Sequence, residues 1–233
     1  MLIREGDSRT IDIDVRLALP LAAVAGAVNA AAFRAVGFFS ANMTGNVSSF
    51  SDYAAVRDWP AAATFLILLV AFVLGAFVST FLIQLARNRG VAAVFAYSIA
   101  VEGFLLGLVG LANIVSPAFE GSLVSVASLA FLMGLQNAAT TLISNARVRT
   151  THVSGMVTDI GIELAMLAGQ RQPSPERSAV GARLRLHGVT LLAFIAGGIA
   201  GVMVYTVAGS WVFELAAGTL LAVTLPYLPR VRK

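Results

Sequence analysis

Six apolar runs constrain what this chain can become. They cover roughly residues 17–36, 60–85, 91–111, 122–144, 187–208 and 211–229. Crossing a bilayer as a helix takes about 20 consecutive apolar residues, and each run has that length or nearly so. Of the 233 residues, 58% are hydrophobic and only 12% are charged, about half the charge of an ordinary soluble domain. Mean hydropathy is +0.85. The chain therefore reads as all-α: one polytopic membrane domain over residues 1–233, with the lipid bilayer as its first partner.

Several function classes fall away. The sequence pI is near 10.1, but the basic residues stand between apolar runs and form no stripe, which argues against a nucleic-acid partner. With no cysteine, disulfides, thiolate metal sites and cysteine nucleophiles are excluded. There is no HExxH, GxSxG or Walker loop. With two histidines, a metal site would need carboxylates from separate spans. No enzyme activity, cofactor or metal centre is expected.

Basic residues orient the spans, because short cytoplasmic loops carry excess Lys and Arg. With six spans and both termini cytoplasmic, 14 of the 16 basic residues lie inside, and Arg34 and Arg57 outside. The stretches 40–57 and 151–169 are more polar. If they also crossed, Arg87, Arg89, Arg147 and Arg149 would move outside and Arg57 inside, leaving 11 inside. Six spans fit better, and the two polar stretches are expected to be re-entrant or broken. Residues 17–32 have the look of a signal peptide, but Glu5, Asp7, Asp12 and Asp14 spoil a net-positive leader. Linker 170–186, with its two prolines, is expected to be a flexible cytoplasmic loop.

An internal repeat runs through these elements. GAVNAAAF from residue 26 aligns with GLQNAATT from 134, pairing Gly26 with Gly134 and Asn29 with Asn137. ANMTGNVSSF from 41 aligns with THVSGMVTDI from 151, placing Thr44-Gly45 opposite Ser154-Gly155. FVLGAF from 72 aligns with FIAGGI from 194, Gly75 opposite Gly197. Each half, about 17–111 and 122–229, holds three runs, and an odd number inverts the second half relative to the first. Thr44–Asn46 and Ser154–Met156 are then expected to meet near the midplane, with Gly45 and Gly155 supplying the sharp backbone.

The same residues resemble a known pattern. Asn29 after Gly26, Asn42-Met43-Thr44-Gly45-Asn46, Gly134-Leu135-Gln136-Asn137-Ala138, Thr151-His152-Val153-Ser154-Gly155 and Thr158-Asp159 are together similar to the YoaK-like family, over about residues 15–228. The chain departs from that family in having Ser154 where Thr usually repeats, and Met156 stands opposite Asn46. The resemblance implies a polytopic protein of the bacterial inner membrane. It carries a domain of unknown function and brings no substrate.

Candidate solute-binding residues cluster at the breaks: Asn29, Thr44, Gly45, Asn46, Asn137, His152, Ser154 and Gly155. Short helices starting there would aim free amides at a cavity, suiting an anion or a polar ligand. The plainer roles are interhelical hydrogen bonding for Asn29 and Asn137 and capping for His152. Ionisable residues within spans are costly and are functional candidates by default. Glu102 is the candidate proton carrier; its plainer role is a protonated group bonded to a neighbouring helix. Asp159 is the second candidate, sharing a helix face with Glu163 and expected to face the same cavity. Glu214 is expected to reach the outer interface, and Arg34 to snorkel or to pair with Asp52. The pairs Gly75/Ser79, Gly103/Gly107 and Gly197/Gly201 are packing signals that would also serve a homodimer. The expected function is a small-solute transporter or permease with proton coupling, its substrate unknown. The alternative is a membrane protein that organises or regulates partners.

Overall fold

The computed structural model describes residues 1–91, 93–169 and 174–228. Among them the chain is helical, without a strand. Arg171, Arg230, Arg232 and Lys233, which the orientation argument uses, lie outside the described residues. The helices are α1 (Ile11–Val36), α2 (Met43–Ala55), α3 (Trp59–Asn88), α4 (Val94–Val115), α5 (Leu123–Ser144), α6 (Val153–Gly169), α7 (Pro175–Ala208) and α8 (Trp211–Thr224).

Local chemistry sets their starts. Thr10, Asn42, Asp58, Ser122 and Ser174 each cap a helix by accepting a first-turn amide on a side-chain oxygen. This corrects the expectation of a flexible loop over 175–186; residues 170–173 of that linker lie outside the described residues. Ser174 accepts from the Arg177 amide, Pro175 stands at the first helical position, and Glu176 sits in the first turn. Proline is pre-organised at that position and an acidic side chain complements the helix dipole, so α7 begins well before the apolar run near 187.

Four helices, α3, α4, α5 and α7, are long and apolar enough to cross a membrane. The first apolar run lies in α1, which begins at Ile11 and is the more central element. Twelve of its 26 residues are buried, as are 14 of the 22 in α5, against five of 30 in α3 and five of 34 in α7. The last run lies in α8, whose 14 residues rise about 21 Å, short of a ~30 Å hydrocarbon layer. Helices α2 and α6, of 13 and 17 residues, rise about 20 and 26 Å.

Packing maps onto itself when the first four helices are exchanged for the last four. Helix α1 runs along α7, and its counterpart α5 runs along α3; α4 packs on α8; α2 lies on α3 and α6 on α7. The contacts repeat at the level of single residues. A Cβ on Gly26 would sit 2.0 Å from the carbonyl oxygen of Phe194, and one on Gly134 would sit 2.0 Å from that of Phe72. In the reverse direction, Gly197 meets the Ala23 carbonyl at 2.0 Å and Gly75 that of Phe131 at 1.9 Å. Backbones this close require glycine, as in small-residue packing of membrane helices generally. The small-residue pairs are thus occupied within the chain: Gly201 rests on Ala27, while Gly103 and Gly107 rest on α8.

A buried ion network closes one end of the molecule. Asp14 on α1 takes Arg9 on one carboxylate oxygen and Arg147 on the other, the latter at 2.8 Å. Arg9 also donates to the carbonyls of Met1 and Arg4, and Arg147 to that of Gly6. The N-terminal segment is thereby fastened to the loop that follows α5.

Candidate functional site at the two helix breaks

Helix α1 ends at Gly37 with φ +76°, and α5 ends at Asn145 with φ +52°, followed by Ala146 at +62°. These left-handed residues, not Gly45 and Gly155, carry the sharp backbone. The expectation is corrected: Gly45 and Gly155 lie in the first turns of α2 and α6. The reason for glycine at 45 is steric. The Asn42 side chain folds back to accept the Gly45 amide at 3.1 Å, and a Cβ on Gly45 would fall 2.5 Å from Asn42 Nδ2. At Gly155 nothing lies within 4 Å of an added Cβ; it faces open space.

The two repeat-related asparagines hold the loops between helices. Asn29 Oδ1 accepts the Ala41 amide at 2.8 Å. Asn137 Oδ1 accepts the Thr151 hydroxyl at 2.9 Å, and its Nδ2 donates to the Met133 carbonyl at 2.7 Å. Next to it, buried Gln136 ties α5 to α1 through the Leu21 carbonyl and to Thr150.

Both breaks open on one cavity of about 770 Å³. The first half contributes Asn29, Asn42, Thr44, Gly45 and Ser48, the second Thr151, His152, Ser154 and Gly155, with Phe39, Phe72 and Phe194 among the apolar walls. Six of the eight candidate binding residues meet here. Asn137 is one hydrogen bond removed, behind Thr151. Asn46 is 4% exposed and turns toward the Phe39 carbonyl. Its counterpart Met156 is equally buried, because both occupy the helix face opposite the cavity. Glu102 does not line this cavity. It is fully buried on α4, and neither carboxyl oxygen has a hydrogen-bond partner among the described residues.

No lining residue carries a permanent charge. Partial burial, and then the Arg149 charge, lower the pKa of His152. The opening amides of both helices, those of Met43, Thr44, Ser154 and Gly155, have no acceptor among the described residues. Together with the hydroxyls they offer donors at two positive helix ends.

Asp159 belongs elsewhere, which corrects the expectation that it faces the same cavity. It lines a separate pocket of about 240 Å³ with Arg147, Arg149, Arg183 and His187. One turn on, Glu163 is 4% exposed and binds His187 at 3.1 Å and Arg183 at 3.6 Å. Sequence reading missed His187 because it stands 24 residues from its partner, at the edge of an apolar run. The Arg34–Asp52 pair is not formed among the described residues. Glu214 packs its carboxyl against Gly107 and Gly110 of α4, with one oxygen buried and without a hydrogen-bond partner among the described residues.

The model of the family described as "Protein of unknown function (DUF1275)" matches residues 17–225. No curated protein and no solved structure matches the chain.

Proposed function

We propose that this chain, which belongs to the DUF1275 family, is a small-solute transporter of the bacterial inner membrane with both termini cytoplasmic. The carrying observation is the convergence of two helix N-termini from repeat-related segments on one cavity. Transporters built from inverted repeats place substrate at such interrupted helices. In this reading α1, α3, α4, α5, α7 and α8 make up six spans, and α2 and α6 are re-entrant. The likeness to the YoaK-like proteins is part of the same reading. The polar groups of both repeat-related helix starts, gathered on one open cavity, favour transport over a partner-organising role.

Purified protein in liposomes, offered a panel of small metabolites, tests the proposal. Gly155→Trp fills the cavity from a position with no neighbour within 4 Å, so folding should persist. Uptake should fall about tenfold or more, equivalent to ~1.4 kcal/mol or more. If no solute enters wild-type vesicles faster than Gly155→Trp vesicles, the reading fails. In the same assay Glu102→Gln should lose proton-driven uptake while retaining exchange. Unchanged uptake and pH dependence would remove Glu102 as the proton carrier.

Orientation has a separate test on this cysteine-free chain. A cysteine introduced by Ser174→Cys should react only with reagents that reach the cytoplasm. Labelling from the periplasmic side of intact cells would overturn the assigned topology.

A further inference from the structure

We infer that the cavity takes an amphipathic solute, with a hydrogen-bond-accepting head at the first turns of α2 and α6 and an apolar body lying in the open groove along the α1–α7 seam. The inference rests on the transport reading and deepens it by naming the substrate class.

The walls carry the argument. Three phenylalanines, Phe39, Phe72 and Phe194, line a chamber whose polar groups sit at the helix starts. A second cavity of about 520 Å³ runs along α1 and α7 and shares Asn29, Phe39 and Phe194 with the first. Its other lining includes Ile195, Ile199 and Met203, which are 47, 59 and 64% exposed on the outer side of α7. The polar chamber therefore has an apolar side door onto the surface that faces lipid.

Gly198 lines that groove, facing Gly26 and Ala30 of α1. A Cβ there would meet nothing nearer than 3.6 Å, and the aligned residue of the other half is Ala76. Each volume lies within the 300–1,000 Å³ of ordinary ligand pockets, and the apolar groove suits a ligand with a sizeable apolar part. The head is set by the donors: free amides and hydroxyls at both helix starts, with no carboxylate among the lining residues to balance a cation.

The probes are n-alkanoates from acetate to decanoate and the matching n-alkylamines. They are titrated calorimetrically into the protein in zwitterionic nanodiscs, with empty nanodiscs subtracted. Alkanoate affinity should rise about fourfold per added methylene until the groove is full, and each amine should bind more weakly than its matched acid. Gly198→Phe should abolish the gain with length and leave the short acids unaffected. Ile199→Trp, at an exposed site, should do the same and serves if Gly198→Phe does not fold. Gly155→Trp should remove binding of all acids.

Affinity independent of chain length would overturn the inference while leaving the transport reading standing. So would amines equal to acids, or a length gain that survives the groove variants. If no alkanoate binds, the inference is also overturned, and the metabolite uptake panel still decides transport.

Discussion

Alanine at Gly75 or Gly134 is expected to strip the protein of about 3 kcal/mol of stability or more, the upper end of overpacking costs. The positions leave no room to relax. An added methyl would lie 1.9 Å from the Phe131 carbonyl oxygen in the first case and 2.0 Å from that of Phe72 in the second. Those oxygens belong to helix backbone, so no side-chain rotation relieves the clash, and α3 and α5 must separate along their length. Gly26 and Gly197 should behave alike for the α1–α7 pair. Thermal unfolding in detergent measures the effect, with a drop of roughly 6–12 °C for a chain of this size. The controls are Gly188→Ala and Gly218→Ala, where nothing lies within 4 Å. They should hold or gain stability, since alanine is the better helix former by about 1 kcal/mol. A wild-type melting curve for Gly134→Ala would mean that the two helices do not pack as described.

The second large effect is expected at Asp14. Asp14→Ala should cost about 3–5 kcal/mol, the usual range when one member of a buried ionic group is removed. The side chains of Arg9 and Asp14 are 0% exposed, and Arg147 is partly shielded. Without Asp14 the Arg9 guanidinium stays buried with only carbonyl partners. The N-terminal segment should then detach, and limited proteolysis near Arg4 should accelerate along with the loss in melting temperature. Asp12→Ala is the matched control. Its pair with Arg185 is largely solvent-exposed, and exposed pairs contribute little, so its melting temperature should barely move. Equal behaviour of the two variants would show that the Asp14 network is not what fastens the segment.

The contrast between Asp14 and the glycines marks what could be read from the sequence. Apolar periodicity and length are properties of a short stretch of chain, so the spans over α3, α4, α5 and α7 were legible without coordinates. The matched glycines were legible too, because the close contacts at Gly26, Gly75, Gly134 and Gly197 need the same small residue at aligned positions. The thirteen-residue α2 was visible only as a polar interruption, and its start was misplaced: capping by Asn42 puts Gly45 inside the helix. The N-terminal part of α7 was hidden because its turns at 175–186 are polar and carry no apolar signal.

The sequence alone therefore determined the all-helical class of the molecule, the four helices long and apolar enough to cross a membrane, and the glycines that recur at aligned positions. Each follows from local composition or from steric demands written twice in the chain. Only the tertiary structure decided which polar groups share a space. It brought Thr44 and Ser154, 110 residues apart, to one cavity, and turned Asn46 away from it. It left Glu102 without a hydrogen-bond partner among the described residues, and paired Asp14 with Arg147 across 133 residues. A side chain's partner depends on helix rotation and on which helices lie alongside. Those are set by the summed packing of the whole chain, which no short stretch of sequence records.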